Sequence, residues 1–247
     1  MAIDEKEALP KVKISILTAT YNSESTIFNL IDSLSSQTTL DFEWVIADGG
    51  STDKTLDLIR QNKTLRIRID SRPDFGIYDA LNRAIKLSEG DYYLTVGSDD
   101  ILYPNAISDF KKHVDKTKAK IISANVFMNQ RVCRPRGRPW LFCMGAYVSC
   151  HAVGTLIKKD LHHTLGLYSR KYPLAADQLF LKKVCDSGVC VERAEFISGE
   201  FGDQGISSKD ILGTLTEIYR IQIQTGENKL LQTIIFILRL IRNFRKI

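Results

Sequence analysis

The sequence has no CxxC pair, and its five cysteines, Cys133, Cys143, Cys150, Cys185 and Cys190, form an odd set. That pattern speaks against a disulfide framework and against a structural zinc site. Thiols kept reduced in a cytosolic setting fit better. There is no apolar stretch ahead of Val12, so no secretory leader is read there and the chain is expected to stay in the cytoplasm. The most apolar segment, at the C-terminus, is too short and too charged to span a bilayer. Internal repeats and low-complexity tracts are also missing. Strong charge is lacking too: 34 basic against 29 acidic residues leave +5. The basic clusters have no interleaved aromatics and no recognition motif, so a nucleic-acid partner is not expected.

What is present is an ordinary globular composition, 44% hydrophobic and 26% charged over 247 residues, which fits one domain with additions. The first half alternates strand-like and helix-like segments. Val12, Ile14 and Ile16 alternate as a strand. Ile27, Leu30, Ile31 and Leu34 recur at helical spacing behind the capping candidates Asn22 and Ser23. Phe42 to Ala47 reads as a second strand ending at Asp48, Thr55 to Asn62 as a helix, and Leu65 to Ile69 as a third strand. After a loop with Pro73 and Gly76, an amphipathic helix through Ile77, Leu81, Ala84 and Ile85 stops at Gly90, and Tyr92 to Gly97 is the fourth strand. Such βαβαβαβ order predicts an α/β fold with a mainly parallel sheet flanked by helices and a ligand crevice at the carboxyl ends of the strands. Tyr21, Asp48, Asp99 and Asp100 all fall at those ends.

Farther on, a helix is expected over Ala106 to Thr117 and strands over Ile121 to Met128, Val153 to Ile157 and Val189 to Ile197. Another helix is read near Asp177 to Ser187. The Arg-rich stretch from Gln130 to Trp140, with Arg131, Arg134, Arg136 and Arg138, shows neither period and reads as an exposed loop. From Leu230 to Phe244 a helix has a wide apolar arc with Lys229, Arg239, Arg242 and Lys246 mostly on the other side. Such a helix lies in an anionic membrane interface, packs on its own domain, or forms a homodimer contact.

Adjacent carboxylates repel and lose solvation when buried, so Asp99 and Asp100 read either as a solvated turn with a helix cap or as the site of a cation or hydroxyl-rich ligand. The surrounding motifs weigh toward the second. Thr18-Ala19-Thr20-Tyr21-Asn22, Asp48-Gly49-Gly50-Ser51-Thr52-Asp53 and Gly97-Ser98-Asp99-Asp100, in that order, resemble family-two glycosyltransferases of the GT-A fold. The stretch Asp74-Phe75-Gly76-Ile77-Tyr78-Asp79-Ala80-Leu81-Asn82 is similar to a subgroup acting in bacterial capsule, exopolysaccharide and O-antigen assembly. The resemblance covers about residues 11 to 208, and divides the chain into an N-terminal tail (1–10), a catalytic domain (11–208) and a C-terminal helical extension (209–247).

The resemblance implies an inverting, metal-dependent transfer of one sugar from a nucleoside diphosphate sugar to a hydroxyl of a glycan or of a polyprenyl-diphosphate-linked acceptor. Ala19, Tyr21 and Asn22 would hold the nucleotide, with the Tyr21 ring stacking on the base and Asp48 hydrogen-bonding base or ribose. Gly76 and Asn82 join the donor-binding set. Asp99 would contact donor sugar or ribose, and Asp100 would bind Mn²⁺ or Mg²⁺ held also by the diphosphate. Asp177 stands where these enzymes place the base that takes the acceptor proton; the usual acidic neighbour before it is Ala176. His151, in Cys150-His151-Ala152-Val153-Gly154, would line the donor or acceptor pocket, although the familiar Gln after it is Ala152. Phe201-Gly202-Asp203-Gln204-Gly205-Ile206-Ser207-Ser208 resembles a loop that closes over the site. The QxxRW signature of processive synthases is absent, which favours single-residue transfer. Two rivals are a sugar nucleotidyltransferase, disfavoured by the lack of glycine in Thr20-Tyr21-Asn22-Ser23, and a noncatalytic nucleotide-sugar-binding module.

Overall fold

β1 (Ile14–Thr20) and β2 (Glu43–Asp48) are buried along nearly their whole length, as strands covered by helices on both faces must be. In the computed structural model, which describes residues 12–202 and 210–246, they are followed and connected by α1 (Ile27–Ser35), α2 (Thr55–Gln61), β3 (Ile67–Ser71), α3 (Ile77–Leu87) and β4 (Tyr92–Thr95). The order is β3-β2-β1-β4 and every pairing among these four is parallel. The chain therefore builds outward from β1 on one side, then crosses back to add β4 on the other. A crevice opens at such a reversal, outside the carboxyl ends of β1 and β4.

The period-two pattern sorts the core into two layers. Ile14, Ile16, Trp44 and Ile46 face α1, α2 and the helix α4 (Ala106–Thr117) through Ile27, Leu30, Ile59 and Phe110. Leu17, Val45 and Ala47 face α3 and α7 (Ala176–Asp186) on the opposite side, through Leu81, Ile85 and Leu179. The Trp44 indole N–H is buried but satisfied, donating to Thr18 Oγ1 at 3.0 Å, and that hydroxyl donates to the Val96 carbonyl at 2.8 Å. This ladder ties three neighbouring segments together inside an apolar layer.

The second half of the sheet is mixed. β8 (Thr155–Lys158) runs antiparallel to both β4 and β6 (Ile121–Met128), β9 (Val191–Glu200) is parallel to β6, and the two-residue β5 (Ile101–Leu102) is antiparallel to β9. The Arg-rich stretch is not an irregular loop throughout, which corrects the sequence expectation. Asn129 and Gln130 both adopt positive φ, 50° and 60°, the conformation of a two-residue hairpin turn, and fold β7 (Arg131–Cys133) back on β6. Three residues are too few to display a strand period. A short α5 (Pro139–Phe142) follows, then α6 (Leu161–Leu165) ahead of α7.

At the C-terminus α8 (Ile211–Gln224) and α9 (Lys229–Asn243) form a helical hairpin turned at Gly226, φ +89°. Both are capped by side chains: Asp210 accepts from the Gly213 N–H and Asn228 from the Leu231 N–H, satisfying first-turn donors. The hairpin is anchored to the rest of the fold. Glu217 of α8 accepts from the N–H groups of Leu174 and Ala175 just ahead of α7, and Gln232 of α9 donates to the Trp140 carbonyl in α5. The opposite side of α9 stays exposed through Leu230, Ile234, Ile237, Leu238, Ile241 and Phe244. Among the described residues no helix is long and apolar enough to cross a membrane. The N-terminal tail and the stretch from Asp203 to Ser208, expected to close over the site, lie outside the described residues.

Gly90 makes the turn into β4, and a Cβ there would sit 2.5 Å from Ser15 Oγ and 2.7 Å from both Ser15 N and Tyr92 O. Backbone of two paired strands cannot yield. Gly90→Ala should therefore destabilise the protein by about 2 kcal/mol or more in urea unfolding, whereas Gly145→Ala, whose Cβ would meet only Phe142 Cβ at 3.9 Å, should stay near wild type.

Candidate active site

The crevice expected at the strand reversal is present as a cleft of about 530 Å³ lined by Ala19, Tyr21, Asn22, Asp74, Gly76 and Asp99, among others. Its size falls within the roughly 300–1,000 Å³ of small-molecule sites. Two loops form one wall and are clipped together. Asn22, at φ 48°, a left-handed conformation that Asn tolerates, donates its N–H to Ser51 Oγ at 2.8 Å and accepts the Thr52 N–H at 2.9 Å. Ser23 N–H donates to Thr55 Oγ1, Glu24 N–H to Asp53, and Lys54 N–H back to Glu24.

Asp48 underlies this wall. It is 0% exposed and accepts from the N–H groups of Gly50 and Ser51 and from the hydroxyls of Ser51 and Ser71, at 2.5 to 3.0 Å. Burial pushes its carboxyl up, but the hydrogen bonds from Ser51, Ser71 and Gly50 outweigh that and hold it below the usual range. In this structure Asp48 organises the loop from beneath the cleft wall. Asn82 is likewise bonded within the protein. Its amide donates to the Tyr168 carbonyl at 2.9 Å and accepts the Tyr168 N–H at 3.0 Å, so it fixes a neighbouring loop and does not line the cleft.

Gly49 lies between two cleft residues. A Cβ there would be 2.9 Å from Asp74 Oδ2 and 3.3 Å from Tyr21 Cδ2, so only glycine leaves the Tyr21 ring, 62% exposed, and the Asp74 carboxylate beside each other. Asp74 also accepts the N–H of Gly76, which has φ +104°, and pairs with Arg83 at 3.5 Å. The Arg83 guanidinium, mostly buried, donates to the carbonyls of Asp48 and Arg72 and pairs with Asp70. Asp74 lies inside the motif that contains Gly76, while nothing in the local sequence pattern around Arg83 marks it.

The acidic pair is split by the turn after β4. Asp99 lines the cleft. Asp100 is 1% exposed and accepts the Gly97 N–H at 2.6 Å and the Gly202 N–H at 2.8 Å. Its burial, with the Asp99 charge adding to it, outweighs those two bonds and pushes the carboxyl up to about 7. No ion pair to Asp100 exists among the described residues. A buried carboxylate that lacks a counter-charge beside a second carboxylate suits a hard divalent cation, which takes oxygen ligands. Asp99 and Asp100 are the residues that would hold it, with remaining positions left to a ligand's oxygens.

Asp177 sits in the first turn of α7, its side chain 15% exposed. The Tyr78 hydroxyl and the Gln178 N–H both donate to its Oδ1, at 2.7 and 2.8 Å. His151, 6% exposed, points Nδ1 at the other oxygen, Oδ2, from 3.9 Å. Tyr78 joins this cluster to the cleft: Gly76, Ile77 and Ala80 of the same helical turn line the cleft. Burial, reinforced by the Asp177 charge, raises the Tyr78 hydroxyl well above its ordinary value, so it remains a donor.

A family model described as glycosyl transferase family 2 matches residues 15–173. The chain belongs to glycosyl transferase family 2. The match includes every cleft residue named above and stops short of Asp177. A PGL/p-HBAD biosynthesis glycosyltransferase of Mycobacterium bovis is 42% identical over 92 residues, 36% of each chain. A chondroitin synthase of Pasteurella multocida is 37% identical over 122 residues, 47% of this chain and 12% of the relative. Matched segments thus span about a third or less of these relatives' length. Among solved structures, a Pyrobaculum calidifontis mannosyltransferase in complex with GDP-Man and Mn²⁺ has a TM-score of 0.69 at 16% identity, over 93% of this chain and 70% of that one. S. aureus TarS in complex with UDP-GlcNAc has a TM-score of 0.64 at 20% identity, over 94% and 73%. The fold is therefore GT-A, the mixed sheet included.

A cation held at Asp100 would compete with the proton there. With a carboxyl near 7 in the folded chain against 3.8 unfolded, the folded state holds the extra proton, so without a cation this group's contribution to stability falls as pH rises from about 4 to 7. Mn²⁺ affinity should accordingly strengthen up to tenfold per pH unit below 7 and level off above it. Calorimetric titration of Mn²⁺ between pH 5.5 and 8.5 checks this, and Asp100→Asn should abolish both the binding and its pH dependence.

Proposed function

We propose that the chain performs inverting, metal-dependent transfer of a single sugar from a nucleoside diphosphate sugar to a hydroxyl of a glycan or polyprenyl-diphosphate-linked acceptor. One observation carries the reading: the cleft at the β1/β4 reversal has Asp99 on its wall over a buried, uncompensated Asp100, with Asp177 linked to the same helical turn through Tyr78. Neighbours in fold hold UDP-GlcNAc in one case and GDP-Man with Mn²⁺ in another, which supports a nucleoside diphosphate sugar as donor.

In this reading Tyr21 stacks on the base and Asn22, Ala19 and Gly76 border the nucleotide. Asp48 and Arg83 hold the loops that shape this wall. Asp99 and Asp100 hold Mn²⁺ or Mg²⁺, which when bound offsets the negative charge that builds on the departing nucleoside diphosphate. Asp177 Oδ2 takes the proton from the acceptor hydroxyl as that oxygen attacks the anomeric carbon opposite the leaving phosphate, which inverts configuration. Oδ1, already accepting two hydrogen bonds, fixes the carboxylate's orientation.

The acceptor's lipid fits the outer face of α9. Leu230, Ile241 and Phe244 there are 72%, 67% and 81% exposed, and Arg242 and Arg245 flank them. Through its contacts with α5, α9 also lies next to the segment carrying the exposed Arg134, Arg136 and Arg138. An apolar ridge bordered by two basic clusters matches an anionic membrane surface, which supports a peripheral position on the inner face of the plasma membrane. A homodimer through α9 is the competing use of this face.

Two measurements test these roles. Across a panel of UDP-, GDP- and dTDP-sugars with Mn²⁺, one donor should raise the melting temperature, and Asp177→Asn should leave that shift intact while lowering turnover by about 10²–10⁴-fold. Retained turnover would remove Asp177 as base, and binding without any turnover in the wild type would indicate a noncatalytic module. Separately, the protein should float with phosphatidylglycerol vesicles but not with phosphatidylcholine alone, and Ile237→Asp should abolish flotation; a monodisperse dimer lost in Ile237→Asp would instead assign the face to a second copy.

A further inference from the structure

Behind Asp177 runs a buried chain of hydrogen bonds that the transfer reaction as described does not use. His151 Nε2 lies 2.7 Å from the Tyr168 hydroxyl, which lies 2.7 Å from the Tyr93 hydroxyl, which lies 2.8 Å from His162 Nε2. His162 Nδ1 ends the chain 3.0 Å from the Gly166 carbonyl. All four side chains are 8% exposed or less. Burial lowers both imidazoles, His162 to about 4, and raises both phenols, so the chain is neutral at physiological pH.

The carbonyl at its end sets a direction. A carbonyl oxygen only accepts, so His162 must carry its proton on Nδ1, and its Nε2, left with a lone pair, must accept. Tyr93 then donates to His162, which leaves the Tyr93 oxygen to accept from Tyr168, and the Tyr168 oxygen to accept from His151 Nε2–H. Each step follows from the one before. His151 is thereby held in the Nε2–H tautomer, and its bare Nδ1 faces Asp177 Oδ2. Two facing acceptors cannot hydrogen-bond, and their 3.9 Å separation lies outside hydrogen-bond range. A proton arriving on Oδ2 would turn this pair into a donor and an acceptor.

We infer that His151 is a positioning residue that shares the proton Asp177 removes from the acceptor hydroxyl, held ready for it by the Tyr168–Tyr93–His162 chain. This rests on Asp177 acting as the base. In the step, the acceptor O–H bond breaks as the new bond from that oxygen to the anomeric carbon forms and the bond from that carbon to the phosphate oxygen breaks. The proton passes to Oδ2 and is shared with His151 Nδ1, then leaves to solvent after the product departs. Once Oδ2 carries the proton, the lone pair aimed at it accepts a hydrogen bond that neither facing acceptor could make before. Apart from the chain itself, Tyr78 of α3 and the thiols of Cys143 and Cys150 interact with the Asp177 charge, and these in turn interact with Glu217 of α8, Lys182 of α7, Arg239 of α9 and Asp100. Burial raises Tyr78 and both thiols, and Lys182 is engaged by Glu227 at 2.7 Å.

The tautomer can be read directly in the unmodified protein. With four histidines in the sequence, long-range ¹H–¹⁵N spectra of ¹⁵N-histidine-labelled protein at neutral pH should show His151 protonated on Nε2 and His162 on Nδ1. A proton on His151 Nδ1 overturns the proposal whether or not Asp177 is the base. For the kinetic part, His151→Gln should lower kcat by about tenfold or more, less than loss of the base itself, leave the donor KM unchanged, and move the acid limb of the kcat profile to lower pH. Tyr93→Phe, which cuts the chain without touching His151, should release the tautomer and move the acid limb in the same direction. An unmoved acid limb in variants that melt like wild type overturns the shared proton, whereas full activity in Asp177→Asn would overturn the assignment of the base.

Discussion

The parallel pairing of β4 with the edge of β1 left open by β2 is the constraint on which the rest of the molecule depends. Because α3 must carry the chain back across β1 to reach that edge, the loops after β1 and β4 are left on opposite sides of a gap that no helix fills. The cleft is that gap. The same crossing brings α3 beneath it, so one turn of this helix presents Gly76, Ile77 and Ala80 to the cleft and Tyr78 to Asp177. The cleft wall and Asp177 are thus coupled through a single rigid element.

Around the cleft, several buried polar groups have an identifiable task. Asp48 gathers four donors into one loop, Asn82 satisfies both backbone groups of Tyr168, and Tyr168 in turn carries the hydrogen-bonded chain to His151. Asp100 is the exception. Two backbone N–H groups do not repay its desolvation, and its carboxyl stays far above the usual carboxylate range. A buried carboxyl with no counter-charge is what a cation would correct, which is why this one carboxylate says more about function than the well-bonded ones.

Local pattern was enough for most of the frame. The four parallel strands and their helices were legible because each has a full period of apolar residues and a punctuating Gly, Pro or Asp. β5 and β7, with two and three residues, and α6, with five, were not, since a period needs more residues than these contain. The antiparallel course of β8 was invisible for a different reason: a buried strand has the same apolar pattern in either direction. Among the site residues, Ala19, Tyr21, Asn22, Gly76 and Asp99 share one cleft, as expected of loop residues at strand ends. For Asp48 and Asn82 the residue types were informative, but what each carboxylate or amide oxygen touches depends on partners 2 to 86 positions away.

What the sequence by itself determined is the βαβαβαβ order of the first half, the helices flanking its sheet and the family, all of which follow from periodicity and short motifs within contiguous stretches. Only the tertiary structure decided that Asp100 is buried while its neighbour Asp99 faces the cleft, that α9 turns one face to the domain and leaves the other bare, and that His151 meets Asp177 through a bare nitrogen. Those outcomes turn on desolvation and on the direction of hydrogen bonds. Both depend on groups that are distant along the chain and become neighbours only when the sheet closes.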